Sequence, residues 1–141
     1  AKRALHAHLG GRVAHLRHPG GHSVSPNVPY AQITAGYYHT CGIRADTSLA
    51  ECWGSNNDGQ IAVSPNVPYT QITGRWWHTC GIRTDTSHAE CWGSYGQSTV
   101  SPNVQYTQIS ADWHHTCAIR QDTSLVECWG DNEYGQTTVS P

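Results

Sequence analysis

The chain lacks most of the features that would place it among enzymes or membrane proteins. Its 141 residues include no Phe and no Met, and only 13% are charged. No apolar run is long enough to cross a bilayer as a helix, and the first residues lack the apolar segment of a secretory signal. No nucleophile elbow, phosphate-binding loop or catalytic carboxylate pair is present. The sequence therefore predicts a protein that is not an enzyme, binds no cofactor and does not enter a membrane.

Basic residues are scarce beyond the first 22 positions. Lys2, Arg3, Arg12 and Arg17 stand within them, which leaves four arginines against ten acidic residues in the remainder. A body with this excess of negative charge repels a phosphate backbone. We therefore predict that the folded part does not bind nucleic acid.

What the chain does contain is one unit repeated three times. The units begin at the same "VSPNV" and follow each other at intervals of 39 and 37 residues. They cover residues 24–62, 63–99 and 100–138, and the chain then ends on "VSP", the opening of a fourth. A chain built in this way is expected to stack its units side by side.

Each unit has the pattern of a small antiparallel sheet. Thr, Ile, Tyr and Trp dominate its short runs, and Gly, Asn, Asp and Ser separate them, without any helical stripe. In the first unit we predict strands near 30–34, 39–44 and 49–53, and a weaker fourth strand after Gln60. The predicted fold is all-β, either an incomplete β-propeller of about three four-stranded blades or a β-solenoid.

The six cysteines form three pairs with a constant separation of eleven positions. If Asp46 and Thr47 form the tip of a hairpin, Cys41 falls opposite Cys52, close enough for a disulfide. The tip itself should be a longer turn in which Asp46 bonds back to the backbone, because Thr47 suits a two-residue turn poorly. The predicted disulfides are Cys41–Cys52, Cys80–Cys91 and Cys117–Cys128. They imply an oxidising, extracellular compartment.

Other interpretations of these motifs remain open from the sequence. His39, His78 and His115 each precede a cysteine by two positions and could complete a zinc site, although such a set supplies only three ligands and lacks C-x-x-C. Buried free thiols are a further alternative, and we expect the three histidines to be buried imidazoles bonded to backbone. The "DTS" triplets resemble those of aspartic proteases, but three copies on hairpin tips do not make a carboxylate pair.

The stretch "HTCGIRADTSLAECWGSNNDGQ" resembles the repeat of the regulator of chromosome condensation family, and the match recurs in register over residues 24–141. The resemblance implies a β-propeller of four-stranded blades, and the cysteine-paired form is similar to that of secreted members. It is also similar to the propeller type of β-lactamase inhibitor protein, which binds enzymes through loops on one face. Exchange-factor activity on a small GTPase is a distant implication, because the repeat motif does not encode it.

Comparison of the three units separates framework from variation. The bulky residues after the first strand differ between units while their flanks hardly change, which indicates a recognition surface on the loops of one face. The candidate binding residues are Tyr37, Tyr38, Arg75, Trp76, Trp77, Asp112, Trp113 and His114. Trp53, Trp92 and Trp129 are expected to pack between blades.

The predicted function is an extracellular scaffold that binds a protein partner. The alternative is a glycan-binding propeller, in which exposed Trp and Tyr rings stack on sugars and Asp58 or Asp131 accepts hydroxyl bonds. A third interpretation gives the aromatic residues no binding role and lets them only fill gaps at the blade edges.

The first 23 residues do not match the repeat. Back-translated with permitted codons and shifted by one base, "AKRALHAHLGGRVAHLRHP" reads "PNVPYTHISAGGWHTCGI". We therefore hypothesise that this segment is an out-of-frame remnant of an upstream unit, disordered in the protein. The alternative is a metal- or polyanion-binding arm formed by His6, His8, His15, His18 and His22. Three units also leave two open ends, which further blades of a longer chain or self-association would close.

Overall fold

The computed structural model describes residues 27–94 and 100–140. Every regular element in these residues is a β-strand, in three antiparallel sheets of three strands each. The first sheet contains β1 (Tyr30–Ala35), β2 (His39–Arg44) and β3 (Ala50–Gly54); the second β4 (Tyr69–Arg75), β5 (His78–Arg83) and β6 (Ala89–Gly93); the third β7 (Tyr106–Asp112), β8 (His115–Arg120) and β9 (Val126–Gly130). The all-β blade architecture predicted from the sequence is confirmed.

The hairpin of each sheet has the register that joins its two cysteines. Cys41 pairs with Cys52 and Ile43 with Ala50, and the other two sheets repeat this register. The three predicted disulfides are confirmed, and each joins Cα atoms that are 4.0 to 4.1 Å apart. No free cysteine remains among the described residues. The zinc and free-thiol alternatives are therefore wrong.

The predicted fourth strand is wrong, because the segment after β3 satisfies its polar groups within a loop. Asn56 Oδ1 accepts the N–H of Ile61 at 3.1 Å, and the Gln60 side chain accepts the N–H of Asp58 at 3.0 Å. The N–H of Ala62 donates to the carbonyl of Gly59 at 3.0 Å, which makes the chain turn after Gln60. Because these N–H groups form hydrogen bonds within the loop, they are not available to pair with a neighbouring strand.

The hairpin tip is a five-residue turn, as the β-branched Thr47 led us to expect. The N–H of Ser48 donates to the carbonyl of Arg44 at 3.0 Å, and Ser48 takes a φ of 58°. The Asp46 carboxylate accepts two bonds from the Arg44 guanidinium, at 2.9 and 2.7 Å. These bonds lower the pKa of Asp46 to about 2. The acidic residue of the "DTS" triplet is thus half of an ion pair that shapes the turn.

The hydrophobic core lies between the sheets, not within one. In the first interface, Ile72 and Tyr69 of the second sheet pack against Cys41, Ile43 and Cys52 of the first. The second interface repeats these positions, and consists of Cys80, Ile82, Ala89, Tyr106, Ile109 and Ala118. Each sheet therefore presents one face to the unit before it and the other to the unit after it, as propeller blades do.

Polar side chains on the first strand of one sheet form hydrogen bonds with the backbone of the first strand of the next sheet. The Gln32 amide donates to the carbonyl of Ile72 and accepts its N–H, both at 3.0 Å. Two residues along, Thr34 Oγ1 accepts the N–H of Gly74 at 2.9 Å. These contacts replace the hydrogen bonds that a neighbouring strand would supply, so consecutive first strands are tied together without forming one sheet.

Residues 1–26, 95–99 and 141 lie outside the described residues, and with them the proposed out-of-frame segment and its five histidines. Within the described ranges, no helix has the length and apolar character needed to cross a membrane.

Candidate binding surface: an aromatic stripe across three blades

The variable loops all lie at the same end of their sheets. Each connects the first strand of a unit to the second, and the sheets share one strand order, so stacking the blades brings the three loops together. The Gly36 N–H donates to the carbonyl of His39 at 2.8 Å, which closes the first of these turns. The eight candidate binding residues lie in these loops or, as Arg75 and Asp112 do, at the strand ends beside them.

The rings on these loops form one continuous row, which we call the aromatic stripe: Tyr37, Tyr38, Trp76, Trp77, Trp113 and His114. Trp76 is its centre, with its ring centroid 5.2 Å from that of Tyr37 and 4.3 Å from that of Trp113. The Trp76 and Trp113 planes are only 29° apart, so these two rings are stacked. One ring from each unit thus contributes to a ladder that runs across the blades.

A second row of rings braces this ladder edge-on. Tyr38 meets Tyr37 at 4.4 Å and an interplanar angle of 78°, and Trp77 meets Trp76 at 4.5 Å and 86°. Edge-to-face pairs of this kind are favourable because the positive edge of one ring meets the negative face of the other. The stripe is therefore preorganised by its own contacts before any partner binds.

Trp76 occupies an unusual backbone conformation. Its φ is 40°, and neither Tyr37 nor Trp113, at the same loop position, shares a positive value. A bulky residue in this region costs of the order of 1 to 3 kcal/mol, and such strain persists where the surrounding structure holds it. The Trp76 ring is packed between loops of three blades, against Tyr37 and Trp113, and strain of this kind is concentrated at functional sites.

The surface remains open to solvent despite its internal packing. Tyr37, Tyr38 and Trp113 are 59%, 60% and 49% exposed. Beside them Arg75 and Asp112, the two charged candidate residues, form a half-exposed ion pair with Nε 3.2 Å from Oδ1. The arrangement combines large apolar rings with one charged pair, which is the composition of protein-binding patches.

Buried histidines lie directly beneath the stripe. His39 Nε2 lies 2.8 Å from Thr79 Oγ1, and His78 Nε2 lies 3.0 Å from Thr116 Oγ1. The backbone partner that we expected is present for His39, at Trp76, and Nε2 also contacts a threonine of the next blade. The Thr79 hydroxyl then donates to the carbonyl of Gln60 at 2.8 Å. Each histidine thus joins two blades through a neighbour nearly 40 residues away, which no local pattern reveals. His115, which we expected to be buried as well, is only partly buried, because no further blade covers it in the described residues.

Burial makes these contacts sensitive to acid. Desolvation lowers the pKa of His78 to about 4 and also lowers that of His39. Because the unfolded chain titrates near 6.5, the folded state loses stability as the pH falls below that value. We expect a loss of about 2 kcal/mol from His78 alone between pH 7 and pH 5. Urea titrations at each pH measure it, and His78→Gln should flatten the pH dependence; an unchanged slope in this variant contradicts the assignment.

The tryptophan that follows the second cysteine of each unit does not belong to the aromatic stripe. These residues are Trp53, Trp92 and Trp129. Trp92 packs edge-on against Tyr69 at 5.6 Å and borders the first core, and Trp129 meets Tyr106 in the same way at the second. Trp53 contacts Tyr30, with centroids 6.0 Å apart.

The hydrogen bonds that glutamine and threonine side chains make to the backbone of the next blade were not predicted from the sequence. The recurrence of Gln32, Gln71 and Gln108 in every unit was a signal for them.

No family model and no curated protein matches the chain. Among solved structures, it is similar to the ectodomain of the Physcomitrella patens receptor kinase CR4, with 32% identity and a TM-score of 0.65 over 74% of this chain. It is also similar to the ectodomain of the Arabidopsis thaliana receptor kinase ACR4, with 27% identity and a TM-score of 0.68 over 86% of the chain. Yeast RCC1 (Prp20), at 15% identity and a TM-score of 0.59 over 73% of the chain, shares the fold.

The chain is built of repeats of the regulator of chromosome condensation type. Their cysteine-paired form is present in all three units. The chain spans 29% of the CR4 structure, 42% of the ACR4 structure and 32% of the yeast one, so it corresponds to a minor part of each propeller protein.

Proposed function

We propose that these repeats form an extracellular scaffold that binds a protein partner through the aromatic stripe. The observation that carries the proposal is the ladder itself, in which three units with the same framework contribute different rings to one preorganised surface. A partly exposed patch of Trp and Tyr supplies large contact area with little side-chain entropy to lose, as binding hot spots require.

The disulfides and the similarities support the compartment that we propose. One disulfide in each of three blades needs an oxidising environment to form and persist. The structures of CR4 and ACR4, to which the chain is similar, are both receptor kinase ectodomains. These two observations support an extracellular location for the scaffold.

The ring geometry favours a protein partner over a glycan. Sugars stack on open ring faces, but the Trp76 ring already packs against the rings of Tyr37 and Trp113, with centroids 5.2 and 4.3 Å away. Asp58 Oδ1 accepts a bond from Ser94 Oγ at 2.7 Å, and the Asp131 carboxylate binds within its own loop. The glycan alternative therefore rests on the exposed rings at the two ends of the ladder.

A double variant, Trp76→Ala with Trp77→Ala, tests the proposal. We expect it to reduce binding of a discrete extracellular protein at least about 100-fold, because the ladder loses its centre. Thr84→Ala, on a hairpin tip at the other end of the middle blade, is the matched control and should bind normally. Binding is measured by pull-down from extracellular protein and, in parallel, on a glycan array.

The outcomes separate the two classes of partner. A protein captured by the wild type and the control, but not by the double variant, supports the proposal. An array signal that the double variant loses supports the glycan alternative instead. Equal binding by the wild type and the double variant, or binding in neither assay, contradicts a binding role for the stripe.

A further inference from the structure

The two end blades expose complementary halves of an interface that the chain already forms twice. Ile72 and Ile109 point at the preceding blade and are 2% and 7% exposed, whereas Ile33, at the same position in β1, is 65% exposed. We call the side of the first sheet that carries Ile33 the leading face. It presents the residue that fills each internal core, in the same register.

The third sheet exposes the other half, which we call the trailing face. In the first two blades this side is covered, so that Cys41, Ile43, Cys80 and Ile82 are at most 3% exposed. In the third blade, Cys117, Ile119 and Cys128 are only partly buried, and Val126 is 44% exposed. Val126 pairs with Ile119 as Ala89 pairs with Ile82, so it lies where the second core receives its partner.

The trailing face also carries polar side chains at the positions that, in the internal interfaces, form hydrogen bonds with the backbone of the next blade. Gln71 donates to the carbonyl of Thr107 at 2.8 Å and accepts the N–H of Ile109 at 3.1 Å, and Thr73 Oγ1 accepts the N–H of Ala111 at 3.2 Å. The next residues in this series are Gln108 and Ser110, and both are exposed. Because they occupy the same positions in β7 as Gln71 and Thr73 in β4, they would form the same hydrogen bonds with the first strand of a blade packed against the third one.

The rings of the aromatic stripe also follow one another from the first blade to the third. Tyr37 stacks towards Trp76, and Trp76 towards Trp113, while the exposed ends of the row are Tyr37 and Trp113. A blade placed against the trailing face with the internal geometry would bring its own Tyr37 to Trp113. The hydrophobic, hydrogen-bonding and aromatic contacts all call for the same partner surface.

We propose that the trailing face of one copy of this chain docks against the leading face of a second copy, repeating the internal blade interface. The occupant is identified by its chemistry, because the leading face supplies the isoleucine, threonine and tryptophan that the two internal interfaces use. Contacts of this head-to-tail kind join different surfaces of the two copies and produce closed rings or open filaments. The proposal is independent of what the aromatic stripe binds.

Two single variants block one face each without touching a buried residue. Ile33→Asp places a charge on the leading face, and Ser110→Arg places a long cation where the trailing face must approach a backbone. Burying an unpaired charge at either position should lower the association constant at least about 100-fold. Thr84→Asp adds the same charge to a hairpin tip of the middle blade, away from both faces, and is the matched control.

The oligomeric state is measured by sedimentation over a range of concentrations, with circular dichroism to confirm folding. The wild type and Thr84→Asp should associate, while Ile33→Asp and Ser110→Arg should each be monomeric. Their mixture should form a dimer and nothing larger, because each variant retains the face that the other has lost. A wild type that stays monomeric at all concentrations, as it would if only blades of a longer chain fit these faces, overturns the proposal. So does a mixture that remains monomeric.

Discussion

Removal of the middle disulfide, by Cys80→Ala together with Cys91→Ala, should lower the free energy of unfolding by about 4 kcal/mol. The crosslink closes a loop of a dozen residues, and its loss frees the unfolded chain by about 3 kcal/mol in the chain-entropy model. The remainder comes from packing, because Cys80 is fully buried in the second core.

The third disulfide is the matched control for this prediction. Cys117 and Cys128 close a loop of the same length but lie on the open trailing face, so their replacement should cost only about 3 kcal/mol. Both losses are measured by urea unfolding in the Ile33→Asp background, which keeps the chain monomeric. Losses below about 1 kcal/mol for both pairs would show that the crosslinks do not stabilise the blades.

Replacement of Ile72 by alanine should cost about 3 kcal/mol of the free energy of unfolding, because the side chain fills the core between the first two blades. The chain provides its own control in Ile33, which has the same register position and the same neighbours in sequence. Since Ile33 is 65% exposed, Ile33→Ala should change the stability of the monomer by less than about 0.5 kcal/mol.

These two variants also separate stability from association. In dilute solution only Ile72→Ala should shift the urea midpoint. At high concentration Ile33→Ala should weaken association, because it removes the side chain that a second copy would cover. Equal destabilisation of the dilute monomer by both variants would contradict the description of the blade interface.

How much of the structure could be predicted depends on how far apart in the sequence the interacting residues lie. The hairpins were predictable because Cys41 and Cys52 are only eleven positions apart, and alternation with the turn length set their register. The repeat gave one sheet for each unit, and the variable residues of one loop included the rings that form the aromatic stripe.

The fourth strand was predicted wrongly for a local reason. After Gln60, Ile61 and Val63 have acceptable strand propensity, but Asn56 Oδ1 and the Gly59 carbonyl accept the N–H groups of Ile61 and Ala62 that a ladder would need. Competition between side-chain and backbone acceptors decides such segments, and propensity does not register it.

The sequence by itself determined the repeating unit, its three main strands, the disulfides and the family resemblance, because all of these follow from spacings within one unit. Only the tertiary structure decided how the rings stack, why Trp76 is strained, which threonine each buried histidine meets and which faces of the end blades stay open. Those contacts join residues 36 to 40 positions apart in different sheets. They depend on the angle and distance at which whole blades pack, and no pattern within a single unit encodes that geometry.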